Sequence, residues 1–157
     1  MTDTPYFLSK ADIDAHEGQI KKHFLNENAV AVCKPLADIT GLTGVGISLL
    51  TVEPGAESTE FHFHYREDEC VYVLSGKATA RVGDDTFEIN AGDFIAYRKG
   101  GLPHAISNTG TEPLCMIVVG ERGDTDIVDY PEKGKRMFRT KGLDWNVMDM
   151  ADIKDRK

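Results

Sequence analysis

The chain has 157 residues and is 41% apolar, which suits one compact domain of ~100–200 residues and excludes a disordered chain. With 26 acidic against 18 basic side chains its formal charge is −8, so no broad positive field gathers phosphate backbones or anionic lipids, and the expected partners include no nucleic acid and no membrane. The longest uncharged run, 39–52, is shorter than the ~20 apolar residues of a bilayer span; the first residues lack the basic start and apolar centre of a secretory signal, so the expected location is cytoplasmic.

Residues 1–39 are read as an amino-terminal arm packing on a barrel at 40–120, with 121–157 a carboxy-terminal extension that docks on it. Ser9 and Asp12 form a capping pattern for a short helix. Eight strands then follow: 45–52, 60–65, 70–74, 77–82, 86–89, 94–98, 103–107 and 114–119, each rich in β-branched or aromatic residues. Turn residues separate them, and Gly83-Asp84-Asp85 predicts a tight hairpin. Short connections without helical periodicity favour an antiparallel sandwich or barrel over a parallel sheet. In the extension, Leu143, Trp145, Val147, Met148 and Met150 are expected to dock on the barrel, and Lys133, Lys135, Arg136, Arg139 and Lys141 to lie in a solvated loop. Three cysteines at wide spacing, Cys33, Cys70 and Cys115, read as reduced and mostly buried thiols.

Three of the five histidines fall in strand-like stretches. Residues i and i+2 of a strand share a face, so His62 and His64 aim two imidazoles at one volume, while Phe61, Phe63 and Tyr65 face away. After Arg66-Glu67-Asp68, Glu69 opens the next strand, and a hairpin returns it beside the histidines. Two neutral nitrogens and a carboxylate are thereby placed for a divalent cation. His104 reaches the same pocket only if the sheet rolls up. His16 and His23 sit in a polar segment and read as solvated. Cys70 and Cys115 are not candidate nucleophiles, and Tyr65, Arg66, Tyr97 and Lys99 flank the two histidine segments as candidate rim residues. The neighbourhood of Phe61, Phe63, Val71 and Tyr72 is apolar enough to be covered by another subunit or by the terminal arms.

These residues resemble the cupins, whose two motifs bracket a metal site. Gly55, six residues, His62-Phe-His64, four residues, Glu69, six residues and Gly76 follow the first motif with one extra residue before His62. Gly92, five residues, Arg98-Lys99-Gly100, three residues, His104 and then Asn108 follow the second, with Arg98 in place of proline and a loop one residue longer. The resemblance spans Gly44 to Gly120. It implies an all-β fold, a double-stranded β-helix or jelly-roll barrel, with short terminal extensions, and His62, His64, Glu69 and His104 as ligands of one divalent transition metal (Zn, Mn, Fe, Ni or Co) with positions left open for a ligand. It also implies a homodimer. The expected activity is that of a metalloenzyme acting on a small oxygen-rich molecule, similar to a sugar or sugar-phosphate isomerase or to a dioxygenase, with no residue singled out as catalytic beyond the ligands. The alternative is a non-catalytic cupin that binds or senses a small ligand.

Overall fold

The computed structural model describes residues 4–154, and every pairing between its strands is antiparallel. Helix α1 (Lys10–Ala15) starts at the expected Ser9 cap, where the Ser9 and Asp12 side chains satisfy each other's backbone N–H groups. Two strands follow, β1 (Gln19–His23) and β2 (Asn26–Lys34), then the one-turn helix α2 (Leu36–Ile39). The central region holds β3 (Val45–Val52), β4 (Phe63–His64), β5 (Glu69–Ser75), β6 (Lys77–Val82), β7 (Asp85–Asn90), β8 (Phe94–Tyr97), β9 (His104–Ser107) and β10 (Leu114–Glu121). Beyond it lie β11 (Thr125–Tyr130), β12 (Lys135–Thr140) and β13 (Asn146–Asp149).

The strands form a six-stranded sheet, β1-β2-β3-β10-β5-β8, a three-stranded sheet, β7-β6-β9, and a four-stranded sheet, β13-β12-β11-β4. One hydrophobic core joins the first two: Ala31, Val52, Val71, Val73, Leu114 and Met116 from the larger sheet meet Ala78, Ala80, Ile89 and Ile106 from the smaller. This is the jelly-roll barrel expected from the sequence. Alternation along the strands does the sorting. Val71 and Val73 of β5 are buried while Tyr72 and Leu74 are exposed; Ala78 and Ala80 of β6 and Ile106 of β9 point the same way into the core. Gly76, between β5 and β6, has φ +89° and a Cβ there would stand 2.7 Å from the Pro113 carbonyl oxygen, so the turn admits only glycine. The Gly83 hairpin also forms, with Val82 opposite Asp85.

Several expectations need correction. The arm contributes sheet that was not expected: β2 pairs with β3, and β1 and β2 extend the large sheet by two strands. Ala29, Ala31 and Cys33 are buried along it, an alternation of small residues that the aliphatic-rich pattern sought for strands overlooks. The expected strand 60–65 shrinks to β4 and a single bridge from His62 to His104. The basic group at 133–141 is not a solvated loop. Most of it lies on β12, and its five cations pair with Glu60, Asp149, Asp129, Glu67 and Asp124. Leu143, Trp145, Val147, Met148 and Met150 are exposed rather than docked. Phe61 and Val71 do not face outward; Phe61 is buried beneath the Arg81 guanidinium, 3.8 Å from its ring centre. Among the cysteines only Cys33 is fully buried.

Leu114 is completely buried on β10, where the two sheets meet. Leu114→Ala is expected to cost ~2–5 kcal/mol of stability, the usual range for a core cavity of this size, as read from urea unfolding.

Candidate metal centre

The inward alternation that builds the core also builds the site. On β5 the series Val73, Val71 ends at Glu69; on β9 the inward Ile106 is preceded by His104; on β8 the last residue, Tyr97, lies directly opposite Glu69. Glu69, Tyr97 and His104 therefore arrive at one end of the barrel interior. His62 joins them through a two-way backbone bridge: its N–H donates to the His104 carbonyl at 3.2 Å, and the His104 N–H donates to the His62 carbonyl at 2.8 Å. One Glu69 carboxylate oxygen and one ring nitrogen each of His62 and His104 lie within 4.8 Å of one another, a group that can hold a metal ion. His64, on the next inward position of the same segment, places Nε2 3.1 Å from the His62 Nε2.

The hydrogen bonds behind the rings decide what these nitrogens offer. His62 Nδ1 donates to the Glu60 carbonyl at 2.8 Å, and His64 Nδ1 donates to the Asp126 carboxylate at 2.6 Å. His104 Nδ1 faces the Leu102 carbonyl at 3.5 Å. With a proton on each Nδ1, the His62 and His64 Nε2 atoms 3.1 Å apart need a positive charge beside them, either a proton on His64 Nε2 donated to His62 or a metal ion that both nitrogens face. Two donors bound at right angles to one metal at ~2.1 Å would be ~3.0 Å apart. His104 Nε2 is buried with no hydrogen-bond partner among the described residues and stands 3.7 Å from Glu69, beyond hydrogen-bond reach. An orphaned acceptor of this kind, in a group of imidazoles and one carboxylate, fits a divalent metal.

Burial keeps His62 neutral, its pKa pushed down to about 3, with the neighbouring His104 adding to the effect. Burial also opposes charging His64, but the hydrogen bond to Asp126 and the nearby Glu69 carboxylate outweigh it and raise its pKa. For Glu69, burial favours the neutral acid, yet the surrounding His104 and His62 hold it below the usual carboxylate range. Neutral His62 and anionic Glu69 are the ligand forms a metal requires.

A cavity of about 140 Å³ opens beside this group. Ser58, Thr59, His62, Glu69, Tyr97 and His104 supply its polar lining, and Leu50, Val71, Ile106, Met116 and Val118 its apolar one. Of the four candidate rim residues, only Tyr97 lines it. Tyr65 bonds to Asp129 and Arg136, Arg66 reaches Thr125, and Lys99 pairs with Glu121 and Asp68. His23 is half-buried: it stacks on Phe24 at 4.8 Å and meets the edge of Tyr130 at 5.2 Å.

Two buried acids near the site escaped sequence reasoning. Asp126 accepts from His64 and from the Arg66 backbone N–H, and Glu67 accepts from Arg139 and the Gly123 N–H. With His64 they make a second group able to hold a metal. The available signal was the pattern Asp126, Val128, Tyr130, in which an acid occupies an inward position of a strand.

Residues 48–120 match the family model for the cupin domain. These residues form a cupin domain. A crystal structure of a proposed sugar phosphate isomerase from Acidithiobacillus ferrooxidans is 47% identical, over 96% of both chains, with a TM-score of 0.92. An uncharacterized protein of Methanocaldococcus jannaschii is 32% identical over 82 residues, and the oxalate decarboxylase of Bacillus subtilis is 38% identical over 80. These two matches cover 50% and 48% of this chain, and 65% and 20% of the respective relatives.

Tyr97 stacks flat on His104, ring centres 3.6 Å apart, and its buried hydroxyl has no hydrogen-bond partner among the described residues. Tyr97→Phe keeps the stack and removes that unpartnered group, so thermal unfolding is expected at the same or a higher temperature, with a gain of up to ~1–2 kcal/mol.

Proposed function

We propose that the protein is a metal-dependent enzyme that acts on a small oxygen-rich molecule, with His62, His64, Glu69 and His104 holding one divalent transition metal. The observation that carries this reading is the convergence of the His62 and His104 ring nitrogens, the latter unpartnered among the described residues, and the Glu69 carboxylate at the polar end of a cavity otherwise lined by apolar side chains. When bound, such a metal supplies Lewis acidity to oxygens placed on it. The chain does the rest. Glu60 and Asp126 orient the His62 and His64 rings by their Nδ1 protons, Tyr97 packs the His104 ring in place, and Ser58 and Thr59 offer hydroxyls to a polar substrate. Leu50, Val71, Ile106, Met116 and Val118 exclude bulk water, which strengthens electrostatic interactions inside.

For the substrate we favour a sugar phosphate undergoing isomerisation, because a relative that shares nearly the whole length of this chain is a proposed sugar phosphate isomerase. A second reading, a small dicarboxylic acid such as oxalate, is favoured by the cavity. A space of about 140 Å³ takes a group the size of benzene, since a cavity of ~150 Å³ holds that ring. Under the first reading the reacting end of the sugar enters and the phosphate stays outside.

Purified protein is expected to carry about one transition metal per chain by elemental analysis. Removing two ligands at once in a His62→Ala, His104→Ala variant should abolish that content, and full occupancy there would sink the ligand assignment. Metal-loaded protein should interconvert aldose and ketose phosphates in a panel followed by NMR, with turnover lost on chelation and restored by metal. Metal-dependent consumption of oxalate without isomerisation would select the second reading, and saturable binding of either compound without turnover would leave a ligand-binding role.

A further inference from the structure

Of the three imidazoles, two rest on main-chain carbonyls and one on a charge. His62 and His104 turn Nδ1 toward Glu60 and Leu102 carbonyls, whereas His64 Nδ1 meets the Asp126 carboxylate at 2.6 Å. The difference follows from topology. β4 has two residues and pairs with β11 alone, Val128 opposite His64 and Asp129 opposite Phe63. The barrel sheets do not hold His64; a strand from beyond the cupin match does. The Gly100 N–H also donates to the His64 carbonyl at 2.7 Å.

The Asp126 side chain is wholly buried. A buried carboxylate is tolerated only with strong partners. Its oxygens accept from His64 and from the Arg66 N–H, and no Lys or Arg pairs with it among the described residues. A divalent ion held by the site would balance Glu69 and Asp126 together, two negative charges against two positive. A carboxylate on the far nitrogen of a metal-binding imidazole fixes its tautomer and makes the near nitrogen a better donor.

We propose that Asp126 is a positioning residue for the metal, acting through His64, so that β11 is part of the site and sets its metal affinity. This rests on the reading of His64 as a ligand given above. Its effect needs no substrate to be seen, because the probe is the metal itself.

The test is a double-mutant cycle on the full chain, with Zn²⁺ and Co²⁺ affinities measured by competition against a chelating indicator and the unfolding temperature recorded alongside. Asp126→Ala is expected to weaken metal binding about 10- to 100-fold. Asp126→Asn, which keeps shape and an acceptor but loses charge, should weaken it by a smaller factor and shift the visible spectrum of bound Co²⁺. In a His64→Ala background, Asp126→Ala should cause no further loss, because its route to the metal is gone. Wild-type affinity in Asp126→Ala, or an equal loss in both backgrounds, overturns the proposal; the second pattern is that of general structural damage. Should Asp126→Ala fail to fold, Asp126→Asn decides, and unchanged affinity and spectrum overturn the proposal. Wild-type affinity in His64→Ala alone marks a different failure, that of the ligand reading, which takes this proposal with it.

Discussion

Two backbone hydrogen bonds between His62 and His104 hold the centre of this molecule together. Together with a second bridge, from Glu57 to Ser107, they tie the segment before β4 to β9, and they join residues 42 positions apart in the chain. Everything at the cavity mouth refers to this pair. One side leads through His104 to the stacked Tyr97 ring and on to Glu69 across the β5–β8 ladder. The other leads through His62 to His64 and then to β11. Because antiparallel bonding fixes register, a slip of one residue at this bridge would turn one imidazole out of the cavity.

The barrel was legible because its strands alternate cleanly. β3 and β6 run over the residues that the pattern of β-branched and aromatic side chains marks, and β5, β7, β8, β9 and β10 differ only at their ends. The glycines at 76 and 83 announced their turns by chemistry, since both require positive φ. What the sequence hid was sheet built from unpromising material. β1 carries Gln19, Lys21, Lys22 and His23 and exposes most of its length, and β12 is a strand of charged residues whose inward member is Met137. Such segments become strands because a neighbouring edge offers backbone partners and opposite charges, which no local pattern records.

The same distinction applies within the site. His62, His64 and Glu69 stand close in sequence and strand periodicity pointed them at one volume, but the hairpin expected to return Glu69 beside the histidines does not form: β4 pairs with β11 and β5 with β8 and β10. His104 needed closure of the whole barrel, for which the resemblance to cupins supplied the expectation and the bridge to His62 the geometry. Asp126 was beyond reach: it lies 62 residues from the imidazole it serves, on a strand whose pairing with β4 covers two residues. Local pattern locates groups that meet the metal directly and is blind to those that stand behind them.

The hairpin that carries Asp126 has its own small core of Val128, Tyr130 and Met137, separate from that of the barrel. The single tryptophan, Trp145, lies at its outer end, exposed and 5.9 Å from the Arg139 guanidinium that grips Glu67. Intrinsic fluorescence of this protein therefore watches the hairpin, while far-ultraviolet dichroism watches mainly the barrel sheets. Coincident melting by the two signals means that the two cores unfold as one cooperative unit, and an earlier fluorescence change means that the hairpin opens first and carries Asp126 away from an otherwise folded barrel.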